Sequence, residues 1–214
     1  DRLSGQAGVR DAIAWYVNQN IVCADELVGN QQYEPALAIY RAIPPRNQII
    51  ATQNVALGEM RKELKILETR AEADKAKPAN QRSKAAELVN TLKPAIKVAE
   101  EALKAIDEKA DFDAAVLMRR GRCLFYLERN EEALVCFRKL RTQYGSSVDA
   151  KSAAFAEIVI LNKRQDIAGI KELCELYMQK YPDAENIEQV ATLAGEVLVQ
   201  SGNWKEVDSF YRGL

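Results

Sequence analysis

Histidine is absent from the 214-residue chain, and with it go the commonest general base, the usual catalytic triad, and most zinc and haem sites. Ten glycines and six prolines fall well under the roughly 12% average usage of the two, and so few turn formers point to long helices. Neither charge dominates, with 30 Lys and Arg against 31 Asp and Glu. That balance argues against an electrostatic nucleic-acid binder or a polybasic membrane protein. The longest apolar runs, such as Ile158 to Leu161, are far short of the roughly 20 residues a membrane span needs. Gly-x-x-x-x-Gly-Lys-[Ser/Thr] and Gly-x-Gly-x-x-Gly are both missing, so nucleotide chemistry is not expected.

What is present is an ordinary globular mixture, 48% hydrophobic and 29% charged, enough to build a sizeable core. Four cysteines, Cys23, Cys123, Cys136 and Cys174, lie in amphipathic stretches with no C-x-x-C pair among them. They read as small buried hydrophobes, with a disulfide or redox role as the alternative.

The strongest signal is an internal repeat. Ala133, Ile170 and Val207 stand in steps of 37 residues. Phe137, Cys174 and Tyr211 lie one helical turn beyond each anchor, and Leu140, Tyr177 and Leu214 lie two turns beyond, which makes the i, i+4, i+7 stripe of one helix face. Gly121, Ile158 and Gly195, followed by Leu124, Leu161 and Leu198, mark a preceding helix at the same offsets. Polar turns at Glu128-Arg129-Asn130, Gln165-Asp166 and Ser201-Gly202-Asn203 separate the two. Each unit therefore reads as a helix pair closed by Tyr144-Gly145 or Tyr181-Pro182. Because Leu214 falls on an open helix face, the pattern predicts at least one further helix beyond it.

These residues resemble the tetratricopeptide repeat (TPR) family. The unit from Ala114 offers Gly121, Leu124, Ala133 and Phe137; that from Lys151 keeps Leu161 and Pro182; that from Glu188 has Gly195, Leu198, Gly202, Trp204 and Tyr211. An earlier unit from Val17 carries Ala24, Leu27, Tyr33, Ala36 and Tyr40 before Pro44-Pro45. The resemblance covers roughly two-thirds of the chain. It implies an all-α, TPR-like superhelical solenoid of antiparallel helix pairs, here with a long helical hairpin inserted after the first unit. The expected divisions are 1–46, 47–113 and 114–214. The repeat ends also look like those of bacterial cell-envelope TPR proteins, which implies a periplasmic or envelope setting.

The hairpin is read from residues 47–76, where Ile50, Leu57, Leu64 and Ala71 recur every seven residues beside Met60 and Leu67. Lys77-Pro78-Ala79-Asn80 breaks the helix, and a return path runs through Leu88, Leu92, Ala95, Ala99, Leu103 and Ile106. Pro94 is expected to start a new helix there or to kink the old one. The seven-residue seam has two readings: an intrachain hairpin with a solvated tip, or self-association through 47–76.

No catalytic, cofactor-binding or metal-binding set emerges. The pairs Glu100/Glu101, Asp111/Asp113 and Glu131/Glu132 are better read as caps and helix-dipole partners than as acid and base, although an enzyme using carboxylates alone is the remaining catalytic alternative. The arginine cluster Arg119, Arg120, Arg122, Arg138, Lys139 and Arg141 reads as surface charge, with an anion site as its rival.

The resemblance implies a concave surface built from the first helices. Its positions fall on Ala115, Met118, Arg122 and Phe125, then Ser152, Phe155, Val159 and Asn162, then Gln189, Thr192, Glu196 and Val199. Met118, Arg122, Phe125, Phe155, Val159, Asn162 and Glu196 are the candidate partner-binding residues, for a peptide or protein partner and not nucleic acid. The rival reading makes Phe125 and Phe155 interhelix core. Met118, Arg122 and Ala156 occupy positions of the carboxylate clamp that grips chaperone tails in some members, so such a tail is not expected.

Overall fold

The computed structural model describes residues 12–202 and 204–213, and it is all-α. Among the described residues ten α-helices run in order: α1 (Ile13–Gly29), α2 (Tyr33–Ala42), α3 (Arg46–Asp74), α4 (Ala85–Asp107), α5 (Phe112–Tyr126), α6 (Asn130–Gln143), α7 (Ala150–Lys163), α8 (Ile167–Lys180), α9 (Ile187–Gln200) and α10 (Trp204–Gly213). Asn203, Leu214 and the side chain of Tyr211, which the repeat pattern uses, lie outside the described residues. Contacts divide the chain into two compact units, 1–113 and 114–214.

The first unit is organised around the hairpin α3/α4. Pro45 sits at the cap of α3, and its carbonyl accepts the Gln48 and Ile49 amides. At 29 residues, α3 is about 44 Å long at 1.5 Å per residue. One layer of the seam gathers Leu57, Met60, Ile96 and Ala99, with Leu64, Leu92 and Leu103 against them; the next gathers Leu67, Ala85 and Val89. The seven-residue stripe of α3 is thus covered by α4 of the same chain, and a second copy could use it only by prising the hairpin apart.

The structure sharpens several expectations in this unit. Of the two expectations for Pro94, the start of a new helix falls away, since α4 runs through it. Pro94 and Asn90 both face solvent, so water can satisfy the carbonyl that the missing N–H leaves open. The predicted buried face holds at Leu92, Ala99, Leu103 and Ile106 but not at its other two positions: Leu88 is 51% exposed and Ala95 faces out, while Val89 and Ile96 go in. Ile49, not Ile50, is fully buried in α3. Asp113 lies in the first turn of α5, where an acidic group suits the helix dipole, and its carboxylate also accepts the Arg46 amide at 2.9 Å and so caps α3. The Arg46 side chain completes this corner by donating to the Ile106 and Asp107 carbonyls and pairing with the Asp107 carboxylate at 2.7 Å.

α1 packs on α2, α3 and α4. Its first-turn amide at Ala14 has no partner within the helix, and the fully buried Gln53 supplies one at 3.0 Å. At the hairpin tip, the buried Asp74 accepts from the Ser83 amide at 2.8 Å, the Ser83 hydroxyl and the Lys77 ammonium at 2.6 Å. Those donors, Lys77 foremost, hold its carboxyl down at about 2.

In the second unit each helix packs on its chain neighbour from α6 to α10. The turns repeat in backbone detail. Glu128, Gln165 and Gly202 take φ of 59°, 56° and 70°, and Gln31 in the first unit takes 59°. After three of these, the next amide donates five residues back: Gln32 to Leu27, Arg129 to Leu124 and Asp166 to Leu161, at 2.8, 2.9 and 3.1 Å. This is the Schellman closure of a helix C-terminus. Ala133 and Ile170 then fall five residues beyond the left-handed residue and are buried at 0% and 1%; so does Ala36, at 0%. Val207, at the same offset, is half-buried.

Candidate functional site

Facing first helices of the second unit enclose an open cleft of about 510 Å³. α7 contributes Phe155, Ile158, Val159 and Asn162, and α9 contributes Glu188, Gln189, Val190, Thr192, Leu193 and Glu196. On α7 the lining residues recur at i, i+3, i+4 and i+7, which is one helix face. On α9, Glu188, Thr192 and Glu196 form an i, i+4, i+8 edge, and Gln189 and Leu193 run beside it. The walls therefore follow from two amphipathic stripes, each with apolar residues towards the floor and polar ones at the rim.

Among the candidate residues, Phe155, Val159, Asn162 and Glu196 come together in this cleft, joined by Gln189 and Thr192 from the same set of positions. Ser152 and Val199 do not line it. Met118, Arg122 and Phe125 are on α5 and are also not part of the lining. Arg122 is exposed, and Met118 and Phe125 are half-buried. Phe125 meets Tyr126 edge-on at 5.8 Å and carries the Lys163 ammonium 4.6 Å above its ring, so it adjoins the end of α7 without entering the cleft. Phe155 is half-buried and leans on Tyr177, ring centres 6.3 Å apart. It is both wall and core. Tyr177 continues to Tyr181 at 5.2 Å, and burial together with that neighbour raises the Tyr177 phenol above its usual range.

Sequence reasoning missed Glu188, Leu193 and the buried Ile158 and Val190 as lining residues. The signal was available: Glu188 precedes Thr192 and Glu196 by whole turns, so it had to share their edge.

A second cleft of about 310 Å³ is lined by Arg138, Arg141, Glu157, Asp166 and Glu172, among others. Its arginines are committed within the fold. Arg141 grips the buried Glu157 carboxylate through Nε at 2.8 Å, and Arg138 lies 3.9 Å from the same group. Arg119 turns back to the Ala115 carbonyl. Arg119, Arg138 and Arg141 of the basic cluster are thus engaged locally. Glu131 and Glu132 likewise pair with Arg164 and Arg129, at 2.9 and 2.7 Å.

The four cysteines are free thiols. Cys123 and Cys174 are buried as expected, and burial pushes the Cys174 thiol up to about 12. Cys23 departs from expectation. It is exposed, because it lies on the side of α1 away from the buried Ala14, Val17 and Ala24. Among the described residues, no group of acidic, cysteine or histidine side chains is placed to hold a metal ion, and no helix is long and apolar enough to cross a membrane.

Comparison with known protein families, curated proteins and solved structures finds no match.

Proposed function

We propose that the chain is a non-catalytic interaction scaffold whose second unit is a short TPR-like stack, and that a peptide or a protein segment lies along the α7/α9 cleft. One observation carries this reading: six of the eight positions that the TPR resemblance assigns to the concave faces of α7 and α9 line one cavity. Independent placement of those residues would have scattered them. The recurring left-handed turns support the stacking, since equal backbone closures keep successive pairs in equal orientation. Apolar floor residues at a protein surface offer anchor pockets, and the polar rim sets orientation. Self-assembly through α3 draws no such support, because α4 occupies the stripe it would need.

The test is photocrosslinking in a native lysate, with a benzophenone side chain replacing the exposed Thr192 in the full chain. Crosslinks from position 192 that vanish when Val159→Arg blocks the floor, and persist with Arg122→Ala, support the cleft. Crosslinks indifferent to Val159→Arg would move the binding face elsewhere.

A further inference from the structure

The α7/α9 cleft is charged on one side only. Both ionisable residues among its lining, Glu188 and Glu196, are acidic, and no lysine or arginine contributes. Among the described residues neither carboxylate has an ion-pair partner; the contact at Glu188 is through its backbone carbonyl, which accepts the Thr192 hydroxyl at 2.8 Å. The excess extends along the chain. Between Lys180 and Lys205 the sequence holds Asp183, Glu185, Glu188 and Glu196 and no Lys or Arg, although the whole chain is balanced. Of the two lysines on α7, Lys163 is drawn over the Phe125 ring and Lys151, one turn before Phe155, is not part of the lining. A rim of one sign around an apolar floor concentrates its field in the cleft and selects the opposite sign.

We infer that the occupant is a cationic segment: an amphipathic stretch whose apolar side chains seat on Phe155, Val159 and Leu193 while Lys or Arg residues meet Glu188 and Glu196. The inference rests on the cleft being the binding face and goes on to name the chemistry of what binds. The two carboxylates are eight residues apart on α9, about 12 Å at 1.5 Å per residue. Matching cations two helical turns apart in a helical partner reach both.

Three peptides test this. They share leucine anchors on an alanine background and differ only in whether two positions, two turns apart, carry lysine, glutamine or glutamate. Each is titrated into the isotope-labelled full chain while the amide resonances of Phe155–Asn162 and Glu188–Glu196 are followed. Lysine should bind tightest and glutamate weakest. Each rim carboxylate should contribute about two- to fivefold in affinity, and Glu188→Gln with Glu196→Gln should reduce the lysine peptide to the glutamine level. Equal binding of all three peptides at the cleft overturns the charge inference and leaves the cleft as binding face. Lysine preference that survives the double glutamine variant also overturns it, since charge is then read elsewhere. If no peptide moves these resonances, both readings fall. Concentration-dependent shifts of the same resonances in the peptide-free protein would assign the cleft to a second copy and likewise overturn the inference.

Discussion

A methyl group at Gly121 would lie 2.5 Å from Phe137 Cε1, 2.9 Å from Cδ1 and 3.0 Å from Cζ. Phe137 is 1% exposed, so the ring cannot swing into solvent to make room. Overpacking of this kind costs about 1–3 kcal/mol. Replacing glycine inside a helix returns about 1 kcal/mol of backbone entropy and propensity. The net expectation for Gly121→Ala is a loss of about 1 kcal/mol. Gly58 in α3 provides the opposite case, because a methyl there meets nothing within 4 Å. The same substitution at Gly58 should therefore stabilise by about 1 kcal/mol.

The two tryptophans make the comparison clean, since Trp15 lies in the first unit and Trp204 in the second. Urea unfolding followed by fluorescence, with one tryptophan replaced by phenylalanine in turn, reads each unit separately. Gly121→Ala should lower the midpoint seen by Trp204, and Gly58→Ala should raise that seen by Trp15. Phe137→Leu shortens the ring that collides, so Gly121→Ala combined with Phe137→Leu should be less destabilised than the sum of the single changes, by about 1 kcal/mol of coupling. A Gly121→Ala variant at least as stable as the parent, with no coupling to Phe137, would mean that α5 does not approach α6 through this glycine. The paired-helix packing of the second unit would then be wrong.

Three further outcomes follow from charge and burial. Glu157→Ala leaves the mostly buried Arg141 guanidinium without its partner and should cost about 2–4 kcal/mol in the second unit by urea unfolding; a loss under about 0.5 kcal/mol would make the pair a surface contact. The Asp74 carboxyl is held at about 2 against its ordinary 3.8, so its contribution to the hairpin tip is complete above about pH 4 and lost as pH falls towards 2. Hydrogen exchange at the Ser83 amide should lose protection across that window in the parent and be already low in Asp74→Ala at pH 6, whereas protection in the variant equal to the parent's refutes the tip contact. A neutral thiol reagent should modify Cys23 in the native protein and reach Cys123 and Cys174 only on unfolding; rapid labelling of Cys174 would contradict its burial.

The parts of this fold that could be read from residues alone are those where one hydropathy stripe has one available interpretation. Ala133, Ile170 and Val207 repeat at one fixed step, so the equal steps found the buried face directly even where Leu134 adjoins Ala133. The hairpin face was harder. Ile49-Ile50, Leu88-Val89 and Ala95-Ile96 each put two apolar residues side by side, and adjacent positions differ by about 100° around a helix. Only the partner helix chooses between them, and it chose Ile49, Val89 and Ile96. Long-range caps were not legible for a related reason. The Asp113 carboxylate reaches Arg46, and the Gln53 side chain reaches Ala14, across sequence gaps that local capping rules do not span.

The turns explain why the repeats keep their spacing while their residues diverge. A Schellman closure is made by backbone donors and acceptors, so it constrains the conformation at one position far more than the side chain there. Gly202 takes the left-handed conformation without a Cβ penalty, whereas Gln31, Glu128 and Gln165 adopt it at about 1–2 kcal/mol each. Those three helices keep the turn because the burial of Ala36, Ala133 and Ile170 five residues later depends on it. The core positions trade size across each pair. Gly121 on α5 meets Phe137 on α6, and at the same sequence offset the buried residues are Ala24 with Tyr40 and Ile158 with Cys174. Small with large, or large with small, fills similar space. The unit from Lys151 departs most from the TPR residue pattern yet keeps both the turn and the buried anchor, which is what a repeat constrained by backbone geometry and packed volume, and only loosely by residue identity, should do.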